Sequence, residues 1–234
     1  AEIPVLDPKA DMLMFHTQYG TVKVNYKEGH DDQKVYNNWS LQIYDRARNM
    51  KVDPVWLYKQ QSRKAVRLQQ FKSIINGYEE FKTMELENGQ RTPDRLDFTD
   101  MVERYITDGL VIPFKVLMVD EAQDLTPLQW DMVVKISKQV DRVYIAGDDD
   151  QAIYQWNGAD TKYFTKYFPG RKVVLRKTRR FGTAIHQFSQ IIRKGILDSV
   201  DKEFEPLVKE GLVKRYLSFK EISFEKDEGK WFLL

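Results

Sequence analysis

The 234-residue chain has no cysteine, which excludes a disulfide framework and thiolate chemistry. Histidine is almost as scarce. His16, His30 and His186 lie far apart, unlike the clustered ligands of a zinc site. No apolar run approaches the roughly 18 residues of a membrane span, and no signal-peptide pattern is present. A soluble, intracellular protein without a membrane partner is expected. Internal repeats and low-complexity segments are absent as well. Acid is missing locally: from Thr161 to Leu197 there is no Asp or Glu, against ten Lys or Arg. The net charge of +2 conceals this segment. Such a run suits phosphate-bearing partners, or is simply a solvated basic face.

What is present is ordinary for a globular chain. Hydrophobic residues make up 42% and charged residues 31%, enough for a sizeable core in one large domain or two smaller ones. Residues 1–35 are polar and irregular, with a short alternating stretch in "TVKVNYK". Residues 36–85 read as helices. Trp39, Ile43 and Ala47 share one face, Pro54 opens the next helix, and Val66, Phe71, Ile74, Ile75, Tyr78 and Phe81 recur near helical spacing. "ENGQRTPDR" reads as a loop. "LDFTDMVERYITDG" restarts a helix that Gly109 ends.

The pattern then alternates between strand and helix. "FKVLMVDE" lacks clear alternation and suits a strand buried on both faces. "LTPLQWDMVVKISKQV" is a helix with Thr126 as N-cap, Pro127 at its first position and Gln129 closing a capping box. Its expected buried stripe is Leu128, Met132, Ile136 and Val140. "DRVYIAGD" is a second strand. "DTKYFTKYF" is a helix turning Phe164 and Phe168 inward, stopped at Pro169-Gly170. "RKVVLRK" is a third strand. "GTAIHQFSQIIRKGI" is an amphipathic helix using Ile185, Phe188, Ile192 and Ile196. The order predicts an α/β fold with a parallel sheet flanked by helices.

Two strand ends carry the chemistry. The first, "VLMVDEAQDLTPLQW", places Asp120 and Glu121 at the carboxyl edge of the sheet, where open α/β sheets bind ligands. Asp120 suits Mg²⁺, a hard cation that takes oxygen ligands. Glu121 suits the orientation and deprotonation of a water that attacks a γ-phosphate. The next strand delivers "GDDDQAIYQWNGAD". Gly147 permits a tight turn, and Gln151 can hydrogen-bond both a phosphate oxygen and the attacking water. Tyr154 and Trp156 offer faces on which nucleobases stack without sequence preference. Asp148, Asp149 and Asp150 read as turn formers.

"VDEAQDLTPLQW", "VYIAGDDDQAIYQWNGAD" and "LRKTRRFGTAI", in this order and spacing, resemble the second, third and fourth motifs of the UvrD/Rep-like group of superfamily 1 DNA helicases. The resemblance runs from about Leu96 to about Gly195. It implies a RecA-like P-loop NTPase motor with a mostly helical inserted subdomain. It also implies ATP and Mg²⁺ as cofactors, single-stranded DNA as partner and movement from 3′ to 5′. By position, Asp120 is the magnesium-associated acid and Glu121 the catalytic base. Gln123 links the strand end to the nucleotide, and Gln151 couples the γ-phosphate to the DNA site. Tyr154 and Trp156 lie at the single-strand contact. Asn157 stands where the family commonly has Arg. The fourth motif is usually Asn-Tyr-Arg, and here it is Thr178, Arg179 and Arg180. Arg180 takes the γ-phosphate-contacting role. Arg179 replaces the Tyr that stacks on adenine, and a guanidinium also stacks.

The phosphate-cradling G-x-x-x-x-G-K-[ST] loop occurs nowhere in the chain. In the resembled family it lies upstream of the Asp-Glu strand, and later motifs follow the fourth. An internal piece of a longer helicase is therefore expected, inactive by itself and completed by the rest of the parent chain. Its parts would be a helical insertion over 1–110, later strands of a first RecA-like domain over 111–180, and the start of a second over 181–234. The apolar ending "GKWFLL" fits the same expectation. The alternative is a nucleic-acid-binding or scaffold module that kept the fold without catalysis. The joint presence of Asp120, Glu121, Gln151 and Arg180 speaks against it, since a pure binder has no use for that set.

Overall fold

The computed structural model describes Val5, Phe15 and residues 38–85, 91–93, 95–196, 202, 205–208, 211–218 and 221. His16, the alternating "TVKVNYK" stretch and the "GKWFLL" tail lie outside these residues. Ala1–Pro169 form one compact unit and Gly170–Leu234 a second.

From Asn38 onward the described part of the first unit opens with three helices. Helix α1 (Trp39–Met50) is capped by Asn38, whose side chain accepts from the Ser40 and Leu41 amides. It ends at Lys51, left-handed at φ 58°, with the Val52 amide bonded back to the Ala47 carbonyl. Helix α2 (Pro54–Gln60) has Asp53 as N-cap and Pro54 at its first position. Helix α3 (Leu68–Phe81) buries Phe71, Ile74, Tyr78 and Phe81, the aromatic stripe expected from its spacing. Ile43, Ala47, Leu57, Tyr58 and Phe71 form one cluster, with Trp39 and Met50 packed against it. Phe15, Ile74, Tyr78 and Phe81 form another. The region read as a loop is partly paired: β1 (Thr83–Glu85) runs antiparallel to β2 (Arg91–Pro93).

Helix α4 (Phe98–Asp108) starts in a reciprocal capping box between Asp97 and Asp100 and stops at Gly109, left-handed at φ 70°. Asp97 and Asp100 are also the acids of a buried ion cluster. Arg48 of α1, 9% exposed, reaches Asp97 at 2.8 Å, Asp100 at 2.5 Å and Glu103 at 2.7 Å. Lys82, just past α3 and 4% exposed, reaches Asp97 at 3.1 Å, Asp100 at 2.8 Å and Glu79 at 2.9 Å. The Tyr78 hydroxyl donates to Asp97 as well. Three helices are thereby joined through one helix N-terminus, itself favourable for anions. Burial opposes ionisation of Asp97, but Lys82 and Arg48 outweigh it and hold the carboxyl down to about 2.

The α/β portion follows. Strand β3 (Val116–Val119) and strand β4 (Arg142–Ile145) are parallel, in register from Val116 with Arg142 to Val119 with Ile145. Helix α5 (Pro127–Ser137) crosses between them, with the Thr126, Pro127 and Gln129 start read from the sequence. Its buried residues are Leu128, Trp130 and Val133, so the expected Met132–Ile136–Val140 stripe is corrected. The indole of Trp130 draws that face of the helix toward the sheet, and Leu117, Val119 and Ile145 pack on it. Both strands alternate in burial. Val116, Met118 and Tyr144 are exposed on the outer face, so burial on both faces is not what the described residues show. Residues Tyr163–Tyr167 form a π-helical turn rather than an α-helix, closed by the Phe168 amide on the Tyr163 carbonyl. Phe164 and Phe168 face inward as expected, and Tyr163 stacks on Trp130.

In the second unit, β5 (Lys177–Gly182) pairs in parallel with β6 (Glu205–Val208), with an irregularity between Thr178 and Gly182. The strand expected at "RKVVLRK" therefore begins where that stretch ends, because residues 171–176 make no ladder. Helix α6 (Thr183–Arg193) has its amphipathic pattern, yet Ile185, Phe188 and Ile192 are exposed. Ile196 lies past its end.

The Asp97 cluster sets a pH dependence. A carboxyl depressed in the folded state stabilises above its unfolded pKa of about 3.9, and that contribution is lost as pH falls toward about 2. The difference in unfolding free energy between the native chain and Asp97→Asn is expected to shrink over this window, measured by urea unfolding at stepped pH.

Candidate functional site

The site grows from the register of β3 and β4. With Val119 opposite Ile145, both strands end at the same edge. The Ala146 amide donates to the Val119 carbonyl at 2.8 Å, and the Ala122 amide to the Ala146 carbonyl at 3.0 Å. These bonds carry the ladder beyond the strands and hold the two following loops side by side. Asp120 and Glu121 leave β3 into solvent. Glu121 is left-handed at φ 51°, a conformation that costs a non-glycine residue about 1–3 kcal/mol. Its amide donates to Asp120 Oδ1 at 2.9 Å.

Gln123 fastens the loops together. It is 1% exposed. Its Nε2 donates to Glu121 Oε2 at 2.7 Å, and its Oε1 accepts from the Asp148 amide at 2.9 Å. Beyond β4, Asp148 accepts from Gln151 Nε2 at 2.6 Å and caps the 3₁₀ turn Asp149–Gln151. Glu121, Gln123, Asp148 and Gln151 are therefore consecutive members of one hydrogen-bonded chain. Asp148 forms the turn expected of it and is also a hub that the sequence reading did not single out. Its position three residues before Gln151, the spacing of a side-chain cap, was the available signal. Gly147 is explained by close approach rather than by a turn. A Cβ there would meet Gln123 Oε1 at 2.7 Å and the Ala122 amide nitrogen at 3.2 Å. Burial and the neighbouring Glu121 charge raise the pKa of Asp124, against a hydrogen bond from Gln123 that lowers it.

The aromatic loop continues from Gln151. Tyr154 is 45% and Trp156 66% exposed, with ring centroids 6.3 Å apart. The Asn157 and Ala159 amides donate to the Tyr154 carbonyl, and the Asp160 amide to the Leu125 carbonyl. The loop is thus closed on itself and tied to the turn after Gln123. Asn157 is exposed beside Trp156. Arg179 and Arg180 lie exposed on β5 of the second unit.

Among the described residues no group of three His, Asp or Glu side chains could hold a metal ion. The exposed Asp120 still fits Mg²⁺, which commonly takes one or two carboxylates and completes its shell with water and phosphate oxygens. No described helix is long and apolar enough to cross a membrane.

An acidic strand edge, a buried glutamine joining it to the next loop, and exposed aromatics beyond define an α/β protein whose candidate site lies at the carboxyl ends of parallel strands. Residues 6–168 match the model of the UvrD/REP helicase N-terminal domain. The chain belongs to this family. It is similar to the ATP-dependent DNA helicase PcrA of Bacillus subtilis (strain 168), 30% identical over 109 residues, 39% of this chain and 15% of that protein. DNA helicase II of Escherichia coli (strain K12) is 34% identical over 64 residues, 26% of this chain and 9% of that protein. The ATP-dependent DNA helicase Rep of Buchnera aphidicola subsp. Baizongia pistaciae (strain Bp) is 27% identical over 120 residues, 50% of this chain and 18% of that protein. In each case the chain spans less than a fifth of the relative's length. The family match reaches far upstream of Leu96 and ends before Arg179 and Arg180.

Gly147→Ala is expected to displace Gln123, and the overpacking should cost about 1–3 kcal/mol, read by chemical unfolding. Faster hydrogen exchange at the Asp148 amide should accompany it.

Proposed function

We propose that this chain is part of an ATP-dependent DNA helicase or translocase that couples hydrolysis to 3′-to-5′ movement on single-stranded DNA. The observation that carries the reading is the hydrogen-bonded chain from Glu121 through Gln123 and Asp148 to Gln151. It joins an acid suited to general base catalysis to an amide suited to sensing a phosphate, on adjacent strand ends. Family membership and the names of the relatives support the same class.

In this reading residues 111–180 supply later strands of a RecA-like domain, 1–110 its helical insertion, and 181–234 the start of a second such domain. Asp120 would hold Mg²⁺, which when bound neutralises phosphate charge. Glu121 accepts the proton of the water whose oxygen bonds the γ-phosphorus, as the bond to the leaving ADP oxygen breaks. The Gln123 amide occupies Glu121 Oε2 and leaves Oε1 for that water. Gln151 hydrogen-bonds the γ-phosphate and reports its presence toward Tyr154. Arg180 offsets charge on the transferring group, and Arg179 stacks on the adenine. Tyr154 and Trp156 stack bases, and Asn157 contacts the strand. The phosphate-cradling loop belongs to the rest of the parent chain.

Glu121→Gln in the full-length protein is expected to abolish ATP turnover while ATP binding survives, measured by phosphate release and by nucleotide titration. Retained turnover would exclude Glu121 as base. The 234-residue chain alone is expected to show negligible ATPase, and DNA-stimulated hydrolysis by it would overturn the reading. Trp156→Ala in this chain is expected to weaken oligo-dT binding by about 1–3 kcal/mol, measured by fluorescence anisotropy.

A further inference from the structure

We propose that the C-terminal turn of α1, Asn49–Met50–Lys51, is a positioning element that sets the aromatic loop Tyr154–Asp160 against the turn that follows the acidic strand edge. The inference deepens the reading of Tyr154 and Trp156 as base-stacking residues and rests on it for its consequence on DNA.

Each of the three residues reaches a different part of the α/β portion. Asn49 Oδ1 lies 3.2 Å from the Thr126 hydroxyl, which is the N-cap of α5 and 5% exposed. Asn49 Nδ2 donates to the Thr99 hydroxyl at 3.1 Å and the Asp45 carbonyl at 3.0 Å. The Thr99 hydroxyl in turn donates to Asp45 Oδ1 at 2.5 Å. Asn49 is thus held by α1 and α4 while its carbonyl oxygen faces the cap of α5. Lys51 pairs with Asp131 of α5. Its backbone is left-handed at φ 58°, where α1 ends.

Met50 reaches the aromatic loop itself. Its side chain packs on the α1–α3 core and fills the space beside Gly158. A Cβ on Gly158 would lie 2.5 Å from Met50 Cγ. Gly158 is buried and left-handed at φ 97°, so only glycine accommodates both the backbone and the methionine. Across the loop, the Asp160 amide is tied to the Leu125 carbonyl, next to Thr126. The loop is therefore held between Met50 on one side and Leu125 on the other, and Asn49 fixes Thr126 beside Leu125. One turn of α1 locates both supports. Trp156 stays exposed because the loop is anchored through Gly158 and Asp160, leaving the indole free of the packing.

This role differs from simple core stability, and the test separates the two. Hydrogen exchange is measured on the 234-residue chain for the amides of Asn157 to Asp160, with those of α1, α3 and α5 as reference. Binding of fluorescein-labelled oligo-dT is measured alongside. Met50→Ala is expected to speed exchange in the loop selectively and to weaken oligo-dT binding at least about fivefold, and Met50→Leu to restore both. Met50→Val, a milder truncation at the same contact, is expected to give the same selective acceleration to a smaller extent, and it serves if Met50→Ala does not fold. Unchanged loop exchange, or equal acceleration in loop and helices, would overturn the proposal. If the native chain does not bind oligo-dT, the DNA reading fails, and the exchange measurements still decide whether α1 positions the loop.

Discussion

Two bases meeting three acids at the start of one helix is the constraint on which the rest of the first unit depends. Arg48 and Lys82 are nearly inaccessible, and Asp97 and Asp100 are the acids that both of them share as partners for their buried charges. Those carboxylates are in turn held by the α4 capping box. The cluster fixes α1 and the end of α3 against the start of α4. It thereby fixes the C-terminal end of α1, two residues beyond Arg48, at the loops of the α/β portion. Removing Arg48 or Lys82 would leave the buried Asp97 and Asp100 with one cation in place of two, which is destabilising.

The site shows how a short hydrogen-bond path organises loops that have little core of their own. Gln123 has one side-chain amide with two ends, and each end serves a different strand. Buried polar groups are tolerated when every donor and acceptor is used. The glycine at 147 and the left-handed backbone at Glu121 are both local costs of bringing that amide between the loops. Strain of this kind is characteristic of functional edges, where the surrounding ladder over-determines the conformation.

Local signals were read well from the sequence because their physics is local. The caps at Thr126 and Gly109, the stripe Phe71–Ile74–Tyr78–Phe81 and the order of β3, α5 and β4 all follow from neighbours within one or two turns. The burial of Trp130 rather than Met132 was not legible, since it depends on Tyr163 and Phe168, more than thirty residues away. The exposed faces of β3 and α6 were misread for a related reason: an apolar pattern states which face seeks cover, and says nothing of what covers it. At the site, the acids, Gln151 and the aromatics were legible as types in a spacing. The cap of Asp148 on Gln151 has a local signal, whereas its link to Gln123 and the reach of Asn49 and Met50 do not, because each of those is made with a partner distant in sequence.

The π-helical turn at Tyr163–Tyr167 has a consequence for how the chain tolerates changes in length. Its closing bond spans five residues, so Tyr163 and Phe168 both face the Trp130 ring. In an α-helix, residues five apart would point well away from one another. The turn thus holds one residue more than an α-helical path would use. A single-residue deletion here would not merely shorten a surface helix. It would rotate one of the two aromatic rings off the indole and thin the aromatic cover over the buried face of α5.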